Sequence, residues 1–255
     1  MPLERFTDRV AIVTGAASGI GRATVIRLVA EGASVLASDV TAGALDEAVT
    51  QANAAAGGTG GHAIAYPADV SDEAASTGIV TAARERFGRL DILANIAGIL
   101  RTSHTHEHPL DVWQHVLDVN LTGTFLMCRE ALPHLIESAG NIVNCSSTSA
   151  SFGHPWMAAY AASKGGVAAL TQTIAIEYAK RGVRANAIAP VCVTSGITQT
   201  ITFPEGADTK LVYRIMSPTG AGQPEAVASV VAMLASDDGA HITGSLIRID
   251  GGTHA

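Results

Sequence analysis

Short apolar runs alternate with stretches of helical periodicity along almost the whole chain, and this alternation restricts the fold more than any other feature. Residues 10–13, Val-Ala-Ile-Val, form a brief apolar run that ends in glycine-rich sequence and read as a buried strand. From Ile20 to Glu31 apolar residues recur at helical spacing, and Gly32 follows as a stop. The same reading predicts strands at 34–38, 63–66, 92–94, 141–144, 184–189 and 246–249. It predicts helices at 45–56, 73–87, 110–137, 158–181 and 225–235, with a glycine turn at 57–61 and Pro133 bending the fourth helix or splitting off its last turn. Strands separated by helices imply parallel pairing. No linker and no fixed-period repeat divides the chain, so it is expected to form one α/β domain, a doubly wound parallel sheet flanked by helices.

Composition narrows the class. Apolar residues make up 47% and aromatics 4%, a mix carried by Ala, Val, Ile and Gly that suits helices packed closely on a sheet. The formal net charge is −7, and the densest basic stretch is Lys180-Arg181 with Arg184, so no nucleic-acid partner is expected. Cys128, Cys145 and Cys192 are odd in number and far apart, which reads as reduced thiols in a cytoplasmic protein. No signal peptide and no bilayer-spanning run is apparent, so no membrane partner is expected.

The first strand leads into Thr14-Gly15-Ala16-Ala17-Ser18-Gly19-Ile20-Gly21. Gly15 suits a tight turn, Gly19 lets backbone approach a pyrophosphate, and Gly21 allows the helix to lie close to the sheet. Free N–H groups and the dipole at the helix start favour phosphate charge. Asp39 closes the second strand, about 20 residues beyond these glycines, where a carboxylate can accept hydrogen bonds from the adenosine ribose. That charge would repel a 2′-phosphate. Ser18 and Val40 are neutral where a phosphate clamp would use Arg or Lys. NAD is therefore expected over NADP.

Tyr160 and Lys164 lie four apart at the start of a predicted helix and share a face. A free phenol ionises near ~10, so service as a base near neutral pH needs the phenolate stabilised by ~4 kcal/mol. A neighbouring ammonium acts in that direction. Tyr160 would then exchange the proton of an alcohol while a hydride moves to or from the cofactor. Ser147 follows the strand at 141–144, at the strand end where α/β sheets bind ligands, and can hold the substrate oxygen. Asn120 sits in the long helix, a poor place for Asn beside Gly123, and could anchor a water linking Lys164 to solvent.

Together these residues resemble the short-chain dehydrogenase/reductase family over essentially the whole chain. The resemblance rests on the Thr14–Gly21 loop, Asp69-Val70, Asn95-Ile96-Ala97-Gly98, Asn120, Ser147, Tyr160, Lys164, Pro190 with Thr194, and Ile249-Asp250-Gly251-Gly252. It implies a Rossmann fold and an Asn120–Ser147–Tyr160–Lys164 tetrad. It also implies a dinucleotide held by Gly15, Ser18, Gly19, Ile20, Gly21, Asp39, Val40, Asp69, Val70, Asn95, Ala97, Gly98, Val119, Tyr160, Lys164, Pro190, Val193 and Thr194. Lys164 would meet the nicotinamide ribose, Thr194 would lie near the carboxamide, and the helices at 110–137 and 158–181 would form the contacts of a homotetramer. The chain departs from the family at Ile96, where a second Asn is usual, and at Val191, where Gly is usual. Because Val resists positive φ, the segment entering the substrate lid is expected to take another path.

Residues 195–220, with Phe203, Leu211, Tyr213 and Met216, read as an apolar substrate lid. His104, His106 and His108 resemble a metal cluster, but they fall in a loop, so no metal is expected and a substrate-shaping role fits better. Trp156 is either a pocket wall or core. The expected activity is an NAD-dependent interconversion of a secondary alcohol and its ketone on a small, mostly apolar substrate. The alternatives are an NADPH-dependent 3-oxoacyl-thioester reductase and a non-catalytic, dinucleotide-responsive binding protein.

Overall fold

A computed structural model of the chain describes residues 4–194 and 201–255. Seven parallel strands form one sheet: β1 Val10–Thr14, β2 Ser34–Asp39, β3 His62–Pro67, β4 Ile92–Asn95, β5 Asn141–Cys145, β6 Arg184–Pro190 and β7 Leu246–Ile249. Their order is β3-β2-β1-β4-β5-β6-β7. The helices are α1 Gly19–Ala30, α2 Ala42–Ala55, α3 Glu73–Phe87, α4 Leu110–Leu117, α5 Gly123–Ser138, α6 Ala158–Tyr178 and α7 Pro224–Ala235. The expected doubly wound sheet is the fold observed.

Every residue of β1, β4 and β5 is buried, as expected of strands covered on both faces. Side chains alternate across the sheet. Val13 packs on one face with Val25 and Leu28 of α1 and Val231 of α7, while Ile12 packs on the other with Ile79 of α3, Met127 of α5 and Ile174 of α6. β1 pairs with β2 on one side and β4 on the other, setting Thr14 beside Ser38 and Asn95. Chain order reverses here, and such a point opens a crevice at the carboxyl ends of the strands.

The long fourth helix is not interrupted where its sequence suggested. Pro133 lies inside α5 without ending it. It removes one backbone donor, and the buried Leu132 and Leu135 hold the turn in place. The interruption lies upstream, where Asp118–Thr122 forms a single π-helical turn around Asn120 between α4 and α5. Such turns are frequent at functional sites. The helix at 158–181 divides into α6 and a tight final turn, Ala179–Arg181.

Of the expected lid, residues 195–200 lie outside the described residues. The remainder contains a 3-10 stretch, Thr209–Ile215, with Phe203 and Met216 exposed. Among the described residues no helix is long and apolar enough to cross a membrane. Cys128, Cys145 and Cys192 are free thiols, the first two buried.

Candidate active site

One cleft of about 450 Å³ runs over the carboxyl ends of the strands. Its lining includes Gly15, Ser18, Gly19, Ile20, Gly21, Asp39, Val40, Asp69, Val70, Ala97, Gly98, Val119, Ser147, Tyr160, Lys164, Pro190 and Val193, all singled out from the sequence. Cys145, His154, Met157 and Ile215 line it as well, and no local sequence pattern marks them.

The glycine turn is shaped by close approach. Gly15 has φ +66, and a Cβ there would stand 2.8 Å from the backbone of Ala97. A Cβ on Gly21 would stand 2.0 Å from the Gly15 carbonyl oxygen. Thr14 Oγ1 binds the chain from below, accepting from the N–H groups of Ile96 at 3.1 Å and Ala97 at 3.2 Å. Ser18 caps α1 in extended conformation with no side-chain bond, and the first turn holds no acid. The amides there are left to face an anion. Asp39 Oδ2 accepts from Ala17 N–H at 3.1 Å and Oδ1 from Thr41 N–H at 2.9 Å, which fixes the carboxylate beside the loop. Asp69 Oδ1 accepts from the backbone and hydroxyl of Ser71, closing a turn at the cleft edge.

Ser147 is buried at the start of a tight turn, Thr148–Ala150. Its Oγ accepts from Ser149 N–H at 3.1 Å, which leaves the hydroxyl proton to be donated. Lys164 is 3% exposed and donates to the Cys145 carbonyl at 2.7 Å. No carboxylate among the described residues pairs with it, so an ammonium with further N–H groups is held inside the cleft. Ser146 Oγ donates to the Lys164 carbonyl at 2.8 Å and pins α6 to the end of β5.

The electrostatics depart from the sequence expectation. Burial raises the Tyr160 phenol above its ordinary value, the nearby Cys145 raises it further, and the hydrogen bond from Ser147 lowers it only in part. The Lys164 ammonium lies 5.7 Å from the Tyr160 ring centre, and burial sets the direction of the phenol's shift in the protein alone. Burial lowers Lys164 itself. Desolvation therefore outweighs the expected ammonium effect here.

Three expected site residues stand off the cleft wall. Asn120 is fully buried: its Oδ1 accepts from Ile99 N–H at 2.7 Å, and its Nδ2 donates to the Ile99 carbonyl at 2.9 Å and to Ser163 Oγ at 3.0 Å. It clamps the chain after β4 onto α6. Asn95 points behind the cleft, where its Nδ2 donates to Asn144 Oδ1 at 2.9 Å, and Asn144 passes the chain of bonds to Thr171. The Asn95 side chain ties β4 to β5 and α6. Thr194 is exposed and bonds through its N–H to the Gly222 carbonyl at 3.0 Å.

Val191 stays out of the left-handed region, and its N–H continues the β6–β7 ladder to the Ile249 carbonyl at 3.3 Å. The turn falls one residue later, on Cys192 at φ +48. A β-branched residue is thereby kept out of the left-handed region. Of the loop histidines, His104 Nε2 meets the Glu205 carbonyl at 2.9 Å and His108 packs edge-on against Trp113, so the loop touches the lid segment. Among the described residues no group of three or more His, Cys, Asp or Glu is arranged to hold a metal. Trp156 lies edge-on to Phe203, with ring centroids 5.4 Å apart, and is not part of the cleft lining.

The sheet order and this cleft define a doubly wound α/β protein of the dinucleotide-binding class. Residues 15–254 match a family model described as enoyl-(acyl carrier protein) reductase. The 3-oxoacyl-(acyl-carrier-protein) reductase of Thermotoga maritima is 39% identical over 97% of this chain and 98% of its own length. The 3beta-hydroxysteroid dehydrogenase 1 of Eggerthella lenta is also 39% identical, over 94% of this chain and 92% of its own. The crystal structure of levodione reductase superposes with a TM-score of 0.89 at 36% identity, covering 97% of this chain and 98% of that one. The chain belongs to the short-chain dehydrogenase/reductase family, oxidoreductases that use nicotinamide dinucleotides and act on small molecules.

Proposed function

We propose that the chain is an NAD-dependent oxidoreductase that interconverts a secondary alcohol and its ketone, with Tyr160 as the acid and base. The observation that carries this reading is that Asp39 and the group Ser147, Tyr160 and Lys164 line one cleft. The residues present fit a nicotinamide dinucleotide. Gly15, Ser18, Gly19, Ile20 and Gly21 would hold its pyrophosphate in the close-packed turn, with Asp39 and Val40 at the adenosine ribose and Asp69 and Val70 at the adenine. Ala97, Gly98, Val119, Tyr160 and Lys164 would surround the nicotinamide ribose, where the ammonium's remaining N–H groups would find hydroxyl acceptors. Pro190 and Val193 would flank the carboxamide. The neutral Val40, 67% exposed beside the Asp39 carboxylate, favours NAD over NADP.

Bound there, the dinucleotide supplies or accepts the hydride and, when oxidised, adds a positive charge. In ketone reduction the Ser147 hydroxyl donates to the carbonyl oxygen, and Tyr160 passes its phenolic proton to the same oxygen as the alcohol forms. Lys164 stabilises the phenolate left behind. Asn120 positions the Ile99 chain and flanks Gly98 together with Lys164, where it would anchor a water through which the proton is replaced. The exposed Phe125 on α5 and Ile176 on α6 mark helix faces suited to the contacts of a homotetramer.

A second reading, an NADPH-dependent 3-oxoacyl-thioester reductase, is favoured by the identity with the Thermotoga maritima enzyme. One absorbance assay separates them: NADH and NADPH oxidation at 340 nm, measured with small ketones and with a 3-oxoacyl thioester. The proposal expects NADH with small ketones to be faster. Turnover confined to NADPH and the thioester would replace it with the second reading.

A further inference from the structure

An imidazole on the cleft wall is left unused by the steps above. His154 falls between Ser147 and Tyr160 in sequence and lines the same cleft. Its Nε2 lies 3.1 Å from Thr148 Oγ1, on the residue that follows Ser147. One face of the ring stacks on His254, with centroids 5.9 Å and planes 19° apart, and His254 stacks in turn on Phe152 at 3.9 Å. His254 is held from the C-terminal turn, where its Nδ1 lies 3.3 Å from Asp250 Oδ2 and its carbonyl accepts from Arg248 at 2.7 Å.

The ring is thus fixed at one nitrogen and on one face. The other nitrogen, Nδ1, makes no hydrogen bond among the described residues and does not number among the sealed, unpartnered polar atoms. The same cleft lining carries the apolar side chains of Leu100, Met157, Val191, Ile201 and Ile215; the one other imidazole of the lining, His115, is exposed. A preoriented polar atom on a cleft wall is costly to leave unpaired once a ligand excludes water. Burial and the neighbouring His254 hold His154 down at about 4, so the ring is uncharged at neutral pH and offers a hydrogen bond and no charge.

We propose that His154 is a specificity-determining residue whose Nδ1 hydrogen-bonds a second, uncharged oxygen of the substrate, so that the cleft selects ketones and alcohols bearing a further hydroxyl or carbonyl. This rests on the oxidoreductase reading above. A site built to bond a substrate hydroxyl rejects the analogue that lacks it, here by roughly tenfold or more.

The test compares cyclohexanone with 3- and 4-hydroxycyclohexanone, by kcat/KM and by ligand-observed NMR binding, on wild type, His154→Phe and His154→Asn. His154→Phe keeps a flat ring for the stack and loses the nitrogen; His154→Asn restores a polar atom. Wild type is expected to favour a hydroxyketone roughly tenfold or more, through KM more than kcat. His154→Phe should bring that ratio near one, and His154→Asn should recover part of it. A ratio unchanged in His154→Phe, or absent in wild type, overturns the proposal and leaves the ring a structural wedge. Were no ketone turned over while NMR still gave a preference lost in His154→Phe, the subsite would stand and the activity reading would fall.

Discussion

Lys164 gives its hydrogen bond to the Cys145 carbonyl at 2.7 Å, while its ammonium stands 5.7 Å from the centre of the Tyr160 ring. The end of β5 thus anchors the cation, and it acts on the phenol through space. In the protein alone, burial of the phenol wins and keeps Tyr160 protonated at neutral pH. The positive charge of Lys164 matters most at the moment a phenolate forms.

Replacing Lys164 with Met keeps much of the volume and removes the charge. Alcohol oxidation needs the phenolate, so the acidic limb of its pH–kcat/KM profile should move to higher pH, with the rate at pH 7 down roughly 10²–10⁴-fold. A limb that stays in place would separate Lys164 from the proton step.

Asp39→Asn retains an oxygen to accept from Thr41 N–H and discards the charge. NADH binding should weaken about tenfold, consistent with a charged hydrogen bond of about 1.5 kcal/mol, and NADPH binding should tighten. Fluorescence titration of both cofactors reads the two effects separately. Unchanged affinities would remove Asp39 from cofactor choice.

Gly21→Ala forces a Cβ to within 2.0 Å of the Gly15 carbonyl oxygen, against backbone that cannot rotate away. Urea unfolding should register a loss of about 1–3 kcal/mol, and dinucleotide binding should suffer more than stability does. Gly43→Ala is the matched control, since a Cβ there meets nothing within 4 Å; in the first turn of α2 it should be neutral or stabilising by up to about 1 kcal/mol.

His154 titrates near 4 in the folded chain against 6.5 for an ordinary imidazole, because burial and the facing His254 disfavour its charge; Asp250 and Arg248 lie behind His254. Between these values the unfolded chain binds the extra proton, so stability should fall as pH drops from 6.5 towards 4. Denaturant midpoints across that range should flatten in His154→Phe. An equal slope in both proteins would place the titration elsewhere.

The legible parts of the sequence were those written in local pattern. Strand–glycine turn–helix at Thr14–Gly21 and the Tyr160/Lys164 spacing are each set within a few residues, and Gly15, Ser18, Gly19, Ile20, Gly21, Tyr160 and Lys164 line the cleft. What the sequence withheld depends on distant partners. The structural bond of the Asn95 amide was not legible, because its partner Asn144 is brought alongside only by the β4–β5 register. Asn120 stood out as a poor helix former needing partners, but the π turn was not legible, because Ile99 and Ser163 supply its bonds. Val191 argued against a positive φ at its own position, but only the structure shows that Cys192 takes the turn after the β6–β7 ladder. His154 carried no motif at all, since its neighbour His254 comes from the far end of the chain.

The central claim is that the Tyr160 hydroxyl exchanges the substrate proton beside the hydride transfer, and Tyr160→Phe removes that one oxygen from a packed ring. Single-turnover NADH oxidation with a reactive ketone, run alongside NADH binding on the same variant, measures this most directly. The account predicts a rate loss of roughly 10²–10⁴-fold with cofactor affinity close to wild type. Wild-type turnover in Tyr160→Phe would contradict it.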